Sequence, residues 1–227
     1  VICVAGLLIY ANTFTSSFHF DDESSIIRNL AIRDVSQPGV IWQYWPTRFL
    51  TYLSIALNYR LGRLDVVGYH VFNIMVHIGT ALLVWWLALM TLRLRRKDDE
   101  EKGRASELLA LFAGLVFVAH PVQTQAVAYI VQRAASLAAF FYVAALALYV
   151  SARSSGERPG GPRYLGAIAC AVAAMYSKEM AITLPFAILL YEACFPREGY
   201  GIDWKRAAPF LGLLAVIPLT MALTGSV

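Results

Sequence analysis

The chain has 227 residues, of which 59% are hydrophobic and 15% are charged. Soluble domains average roughly 45–50% apolar and about 25% charged residues, so this composition excludes an ordinary soluble domain. The net charge of +4 does not indicate nucleic-acid binding, because twelve of the 19 Lys and Arg residues lie in three short segments between apolar blocks.

Apolar blocks along the chain predict an all-α fold, a multipass transmembrane bundle of about seven helices. Only the second and seventh blocks reach the roughly 20 apolar residues that a spanning helix requires. The others become long enough by including flanking polar residues, which a bundle tolerates where helix ends face a cavity. The blocks lie at residues 1–14, 70–92, 107–119, 134–150, 164–176, 180–195 and 207–224. Because the chain opens with Val1, we interpret residues 1–227 as part of a longer membrane protein.

The connection between the first two blocks, residues 15–69, is long and mixed in character. Its segment 46–64 interleaves apolar residues with Arg48, Arg60 and Arg63. This pattern predicts a helix that lies in the membrane interface with its apolar side towards lipid, since it is too polar to span.

The distribution of basic residues predicts the topology. Segments 93–104, 152–163 and 196–206 carry six, three and three basic residues, and they fall on one side if the blocks alternate. The positive-inside rule makes that side cytoplasmic. The long connection and the short connections that contain His120 and Lys178 then lie together on the extracytoplasmic side.

Three adjacent carboxylates, Asp21, Asp22 and Glu23, occur in the stretch "SSFHFDDESSI". One interpretation is a helix N-terminus, with Asp22 as the cap and the acids favoured by the helix dipole. The other is a catalytic base held at the membrane surface. The local sequence alone leaves both open.

Polar residues within the second block share one helical face. His70, Asn73 and His77 are spaced i, i+3 and i+7, which favours structural interhelical hydrogen bonds over direct chemistry. The two histidines offer poor zinc geometry without a third ligand, and two adjacent aspartates are not a complete divalent-ion site. No metal is therefore predicted. The isolated cysteines are interpreted as packing residues: Cys3, Cys170 and Cys194.

Two further polar clusters lie on the same predicted side. In "HPVQTQAVAYIVQR", His120 can be a polar helix end before Pro121, but this does not explain the polar residues that follow it. In "SKEMAITLP", Lys178 and Glu179 can form a local salt bridge of little energetic value. Each cluster is a weak signal, and their common side is the stronger one.

Four segments together resemble a known family. They are "FHFDDESSIIRN", "YLSIALNYRLGRLDVVGYHVFNIMVH", "HPVQTQAVAYIVQRAASLAAFFYVAALALY" and "SKEMAITLPFAILLYE". In this order they resemble the membrane half of the transmembrane-and-tetratricopeptide-repeat O-mannosyltransferases and their bacterial relatives, which are GT-C-type glycosyltransferases. The resemblance implies a multipass enzyme of a bacterial cell membrane that passes a sugar such as mannose from a polyprenyl-phosphate donor to a hydroxyl on the extracytoplasmic side. Tetratricopeptide repeats are absent from this sequence.

The resemblance also implies roles for individual residues. The acidic pair matches the catalytic carboxylate, and we favour Asp22 as the base with Asp21 orienting it or the acceptor. The residues implied for the donor phosphate and substrate are His120, Arg133, Lys178, Glu179, Arg48 and Thr124. The sequence departs from the family pattern at Phe49, where some members have proline, and at Gln125, where some have a carboxylate.

The implied reaction needs a base, cations and an apolar groove. A carboxylate takes the proton of the acceptor hydroxyl, cations stabilise the departing lipid phosphate, and the groove holds the polyprenyl tail. A single displacement would invert the anomeric centre. The implied partners are membrane lipid, the lipid-linked donor, and a protein acceptor or other membrane subunits; no further cofactor is implied.

Two other classes of function compete with the enzyme. One is a non-catalytic membrane subunit that uses the same scaffold within a larger complex. The other is a transporter, which could relay protons through its histidines and acids. Against a transporter, the sequence has no inverted repeat and no pair of Gly- or Pro-broken helices.

Overall fold

The computed structural model describes residues 1–94, 100–196 and 201–225, and within them the fold is all-α with no strand, as predicted. Parts of the basic segments 93–104 and 196–206 lie outside the described residues. The helices are α1 (Ile2–Tyr10), α2 (Pro38–Tyr44), α3 (Phe49–Gly62), α4 (Val66–Leu94), α5 (Glu100–Ala119), α6 (Gln123–Ala128), α7 (Arg133–Ser154), α8 (Pro162–Met175), α9 (Leu184–Cys194), α10 (Trp204–Gly212) and α11 (Val216–Thr224).

Each apolar block coincides with a helix or a run of helical turns. Among the described residues, three runs are long and apolar enough to cross a membrane: Val66–Arg93, Ile130–Ser154 and Trp204–Thr224. The second run exceeds its block because a 3-10 turn, Ile130–Gln132, leads directly into α7. Two shorter apolar helices occur at Ile2–Thr13 and Pro162–Met175.

The centre of the bundle is built from α4, α5, α7 and α8, in which α7 packs against both α4 and α8. Small residues permit the close approach of these helices. Between α7 and α8, Ala145, Ala152 and Ala167 are fully buried. Between α4 and α7, a Cβ added at Gly79 would lie 2.9 Å from the Phe140 ring, so glycine permits this contact.

The connection between α1 and α4, residues 15–65, folds as a compact layer with its own apolar core. Ile26, Ile41 and Ile55 are fully buried there and pack with Ile130 at the start of the second long run. This burial fixes the acidic stretch against the end of the bundle. It therefore places residues 18–29 next to residues 127–133, about a hundred positions later in the chain.

The predicted helix in segment 46–64 is present as α3, preceded by a 3-10 turn. Tyr52, Ile55 and Ala56 are buried against the α1–α4 connection and α4, whereas Leu57, Leu61 and Leu64 are exposed. One side of the helix thus packs on protein while apolar residues stay open on another, and its place in the membrane interface stays a prediction.

Two hydrogen bonds attach the start of α3 to the end of α8. The Leu50 N–H donates to the Tyr176 carbonyl at 3.0 Å, and the Thr51 hydroxyl donates to the Ser177 carbonyl at 2.8 Å. These bonds bring the turn before α3 into contact with Lys178 and Glu179.

Candidate functional site

Asp22 is a buried link between the α1–α4 connection and the start of α7. Its side chain is 1% exposed, and its two oxygens accept from the backbone N–H groups of His19 at 3.1 Å and Val131 at 2.8 Å. Asp22 stands at the N-cap position of the turn Glu23–Ile27, as one interpretation of the sequence had it, but its side chain makes no capping hydrogen bond to that turn. Burial raises the pKa of Asp22, whereas these two hydrogen bonds and the rings of His19 and His70 partly oppose that rise.

Asp21 is exposed and lies beside Tyr129. Its backbone N–H donates to the Tyr129 hydroxyl at 2.9 Å, and its carbonyl accepts from Ser24 at 3.2 Å. Burial raises the pKa of the Tyr129 phenol, and the neighbouring Asp21 carboxylate raises it further. The phenol therefore stays protonated at neutral pH beside a carboxylate that is open to solvent.

An open cleft of about 390 Å³ lies next to Asp21, which is not itself a lining residue but follows Phe20 and bonds Tyr129, both of which line the cleft. Its lining residues come from the α1–α4 connection and from α6 with the residue after it: Ser16, His19, Phe20, Thr124, Gln125, Ala128 and Tyr129. Of the residues predicted to bind the donor or substrate, only Thr124 lines this cleft. His19, Phe20 and Tyr129 were not predicted, although two of them belong to the quoted motif "FHFDDE".

Arg133 lies beneath this region and is fully buried. Its guanidinium donates to Asn73 Oδ1 at 2.8 Å, to Asn58 Oδ1 at 2.6 Å, and to the carbonyls of Ser54 and Tyr69. All four acceptors are neutral oxygens of the protein. In this arrangement Arg133 ties α3, α4 and α7 together and is not exposed to a phosphate.

The polar face of α4 is used for contacts between elements, which is the arrangement that its spacing predicts. His70 Nε2 lies 2.9 Å from the Ser16 carbonyl, and His77 Nε2 lies 3.2 Å from the Val118 carbonyl. Asn73 holds the Arg133 guanidinium. His70 thereby fixes Ser16 at the edge of the cleft, while its Nδ1 is buried without a hydrogen-bond partner among the described residues.

His120 lies apart from these groups. It follows the last residue of α5, is exposed, and accepts a hydrogen bond from the Val122 N–H at 3.3 Å. This is the polar helix end that Pro121 favours.

A second polar cluster surrounds Glu179. Its carboxylate accepts from the Thr47 hydroxyl at 2.7 Å, the Trp45 indole at 3.2 Å and Arg48 Nε at 3.1 Å. Burial alone would raise the pKa of Glu179, but the hydrogen bonds from Thr47 and Arg48 outweigh it and lower the pKa. The predicted local pair with Lys178 was therefore wrong, because Arg48 is the partner.

Lys178 is half-buried beside this cluster, and its ammonium has no hydrogen bond or ion pair to another described residue. It is thus a cation near the Arg48–Glu179 pair whose charge the described side chains do not neutralise.

The predicted site residues form two groups rather than one. The first contains Asp21, Asp22 and Thr124 around the cleft, and the second contains Arg48, Lys178 and Glu179. An aromatic contact runs between them, since Tyr52 stacks on Trp45 with ring centroids 6.0 Å apart and also packs with Ile26 beyond the acidic pair.

Composition, fold and the three long apolar helices together define an α-helical membrane protein with polar clusters at the helix ends. Its homologues are protein O-mannosyl-transferases. The chain is 29% identical to the human protein O-mannosyl-transferase TMTC4 over 210 residues. This alignment covers 81% of the chain and 27% of the relative. The chain is 29% identical to Drosophila melanogaster protein O-mannosyl-transferase Tmtc3 over 218 residues, in an alignment that covers 84% of this chain and 23% of the relative. It is 30% identical to human protein O-mannosyl-transferase TMTC3 over 233 residues, in an alignment that covers 95% of this chain and 24% of the relative.

These similarities confirm the resemblance predicted from the four segments. The chain spans about a quarter of the length of the curated relatives it matches. No protein-family model and no solved structure matches it.

Proposed function

We propose that this chain is the membrane part of a glycosyltransferase that passes mannose from a polyprenyl-phosphate donor to a hydroxyl of a protein acceptor on the extracytoplasmic side. The observation that carries the proposal is an exposed carboxylate, Asp21, beside an open cleft in a chain whose homologues are named protein O-mannosyl-transferases. The proposed architecture is of the GT-C type with seven membrane-spanning segments. A bacterial cell membrane remains a prediction, since the relatives described above are human and fly proteins.

The proposed chemistry is a single displacement. The acceptor hydroxyl oxygen forms a bond to the anomeric carbon as its proton passes to a carboxylate. The bond between that carbon and the phosphate oxygen breaks, and the lipid phosphate leaves with the electron pair. The anomeric centre is inverted.

Of the acidic pair, the geometry favours Asp21 as the base, the reverse of the order favoured from the sequence. A base must come within hydrogen-bonding reach of the hydroxyl that it deprotonates. Asp21 is open to solvent beside the cleft, whereas both oxygens of Asp22 already accept backbone N–H groups. In this proposal Asp22 positions Asp21 by holding the connection against the start of α7.

Lys178 is the group that we propose for the donor phosphate. Charge-assisted hydrogen bonds to phosphate are stronger than neutral ones, and the Lys178 ammonium has no partner among the described side chains. Arg48 is held by Glu179 and supports the same region, while Arg133 is fully buried and needs a rearrangement to reach a phosphate. His120 is exposed, and its role at the phosphate stays a prediction.

A transfer assay tests the proposed function. Membranes from cells that express the protein should move mannose from added polyprenyl-phosphate mannose to a threonine-containing peptide, detected as a hexose added to the peptide mass. Membranes from otherwise identical cells without the protein are the control. If the inserted, folded protein transfers no sugar, a non-catalytic membrane subunit becomes the better function.

Labelling of introduced cysteines tests the proposed orientation. Ser24 is exposed near the acidic pair, and an added Cβ at Gly103 meets no atom within 4 Å, so both sites accept a cysteine. We expect a membrane-impermeant maleimide applied from outside to label Ser24→Cys but not Gly103→Cys, in a background in which Cys3, Cys170 and Cys194 are replaced by Ala. Labelling of Gly103→Cys alone would invert the topology and remove the cleft from the extracytoplasmic side.

A further inference from the structure

Phe20 combines strain with exposure. Its φ angle is +46°, a left-handed conformation, and its side chain is 88% exposed. A bulky residue in this region is strained relative to glycine, and an aromatic ring that is so exposed recovers little of that strain through burial. Neither feature stabilises the fold, so the position points to a ligand.

The ring of Phe20 forms a wall of the cleft together with Tyr129. Their centroids lie 6.3 Å apart at an interplanar angle of 81°, an edge-to-face pair. Tyr129 is held by the Asp21 backbone, and Ser16 by His70, so the two sides of the cleft are positioned by hydrogen bonds.

The lining of the cleft is neutral. It contains hydroxyls, one amide, one imidazole and aromatic rings, but neither lysine nor arginine. A lipid phosphate would have no cationic partner there. Thr124 and Gln125 are exposed, so their polar groups are available to a polar ligand. The amide of Gln125 and the hydroxyls of Ser16 and Thr124 match the N–H and C=O groups of an extended polypeptide.

We propose that this cleft binds the acceptor polypeptide, as an uncharged extended segment whose side chain or backbone packs on Phe20 and whose hydroxyl lies towards Asp21. The assignment of this ligand as the acceptor rests on the proposed function, but binding of a peptide does not. The chemistry separates the two substrates: the neutral cleft takes the peptide, and the cationic region around Lys178 takes the lipid phosphate.

Photocross-linking tests peptide binding directly, with the protein in the membranes of the cells that express it. The variant Phe20→p-benzoylphenylalanine should cross-link to biotinylated short peptides that carry a central threonine among neutral residues, and an excess of unlabelled peptide should suppress the product. Leu30→p-benzoylphenylalanine is the matched control, because Leu30 is 81% exposed on the same connection but does not line the cleft. Equal cross-linking at both positions, or cross-linking of position 20 to lipid alone, would overturn the proposal.

The kinetics of Phe20→Gly provide a second test. This variant should fold, because glycine adopts the positive φ without strain, so a change in KM can be assigned to the lost ring. We expect a thermal midpoint that is not lowered and a rise of roughly threefold to tenfold in the KM for the peptide, the worth of one aromatic contact. The KM for the lipid donor should not change. A rise in the donor KM instead would assign the cleft to the donor. If no variant or wild-type protein transfers sugar but cross-linking at position 20 is specific, the peptide site stands and the proposed function fails.

Discussion

Replacing Asp21 by Asn is expected to lower the rate of sugar transfer by roughly 10²–10⁴-fold, the usual contribution of a positioned general base, or about 3–5 kcal/mol in the barrier. The reason is that asparagine keeps the size and the backbone contacts of Asp21 but cannot accept a proton. Its side chain is exposed, and the hydrogen bonds that anchor it to Tyr129 and Ser24 involve its backbone. The fold should therefore survive. The measurement is the mannose transfer assay on membrane preparations, with protein amount and thermal midpoint determined in parallel.

Glu23, in the same acidic stretch, offers a matched control. Glu23 is also exposed, but its carboxylate pairs with Arg28 at 2.8 Å. Glu23→Gln should transfer sugar at the wild-type rate. If Asp21→Asn also does so, Asp21 is not the base.

Asp22→Asn should have a different effect from Asp21→Asn, and this difference distinguishes the roles of the two carboxylates. An asparagine has one acceptor oxygen and an NH₂ group, so either the His19 or the Val131 N–H loses its partner. This variant should thus lose thermal stability as well as activity. Full stability combined with lost transfer would instead restore Asp22 as the base.

Replacing Arg133 by Met is expected to destabilise the folded protein by about 2–5 kcal/mol. The guanidinium is the donor to the side-chain oxygens of Asn73, which is fully buried, and of Asn58, which is half-buried, and a buried acceptor without a partner costs about 1–3 kcal/mol. Relief of the desolvation of the cation offsets part of this loss. The measurement is the free energy of unfolding, or the thermal midpoint, of the detergent-solubilised protein.

Two further variants identify the origin of this loss. Arg28→Met removes an arginine that is 77% exposed, so its effect should stay within about 0.5 kcal/mol. Adding Asn73→Leu to Arg133→Met replaces one orphaned acceptor by an apolar group and should recover part of the stability. If Arg133→Met instead keeps wild-type stability and loses donor binding, the phosphate role implied by the family resemblance is correct and the structural role is not.

Much of the fold follows from local sequence. Each apolar block became helical because a buried backbone in a membrane must satisfy its hydrogen bonds within the segment. The amphipathic stretch 46–64, in the connection between the first two apolar blocks, predicted a helix, and the structure has helix α3 there. Which apolar residues of α3 pack on protein and which stay exposed did not follow from the sequence, because periodicity is the same whether an apolar face meets lipid or protein.

The features of the candidate site also divide into those that the sequence predicted and those that only the structure showed. The sequence by itself determined the family, through four ordered segments, and it located the acidic stretch and Thr124, but not His19, Phe20 or Tyr129. Only the tertiary structure decided that Asp21 is open while Asp22 is bonded, that Arg133 is enclosed, and that Glu179 pairs with Arg48, 131 positions earlier. Exposure and pairing depend on which distant segments pack together. Adjacent residues of identical chemistry, such as the two aspartates, differ only once a second segment covers one of them.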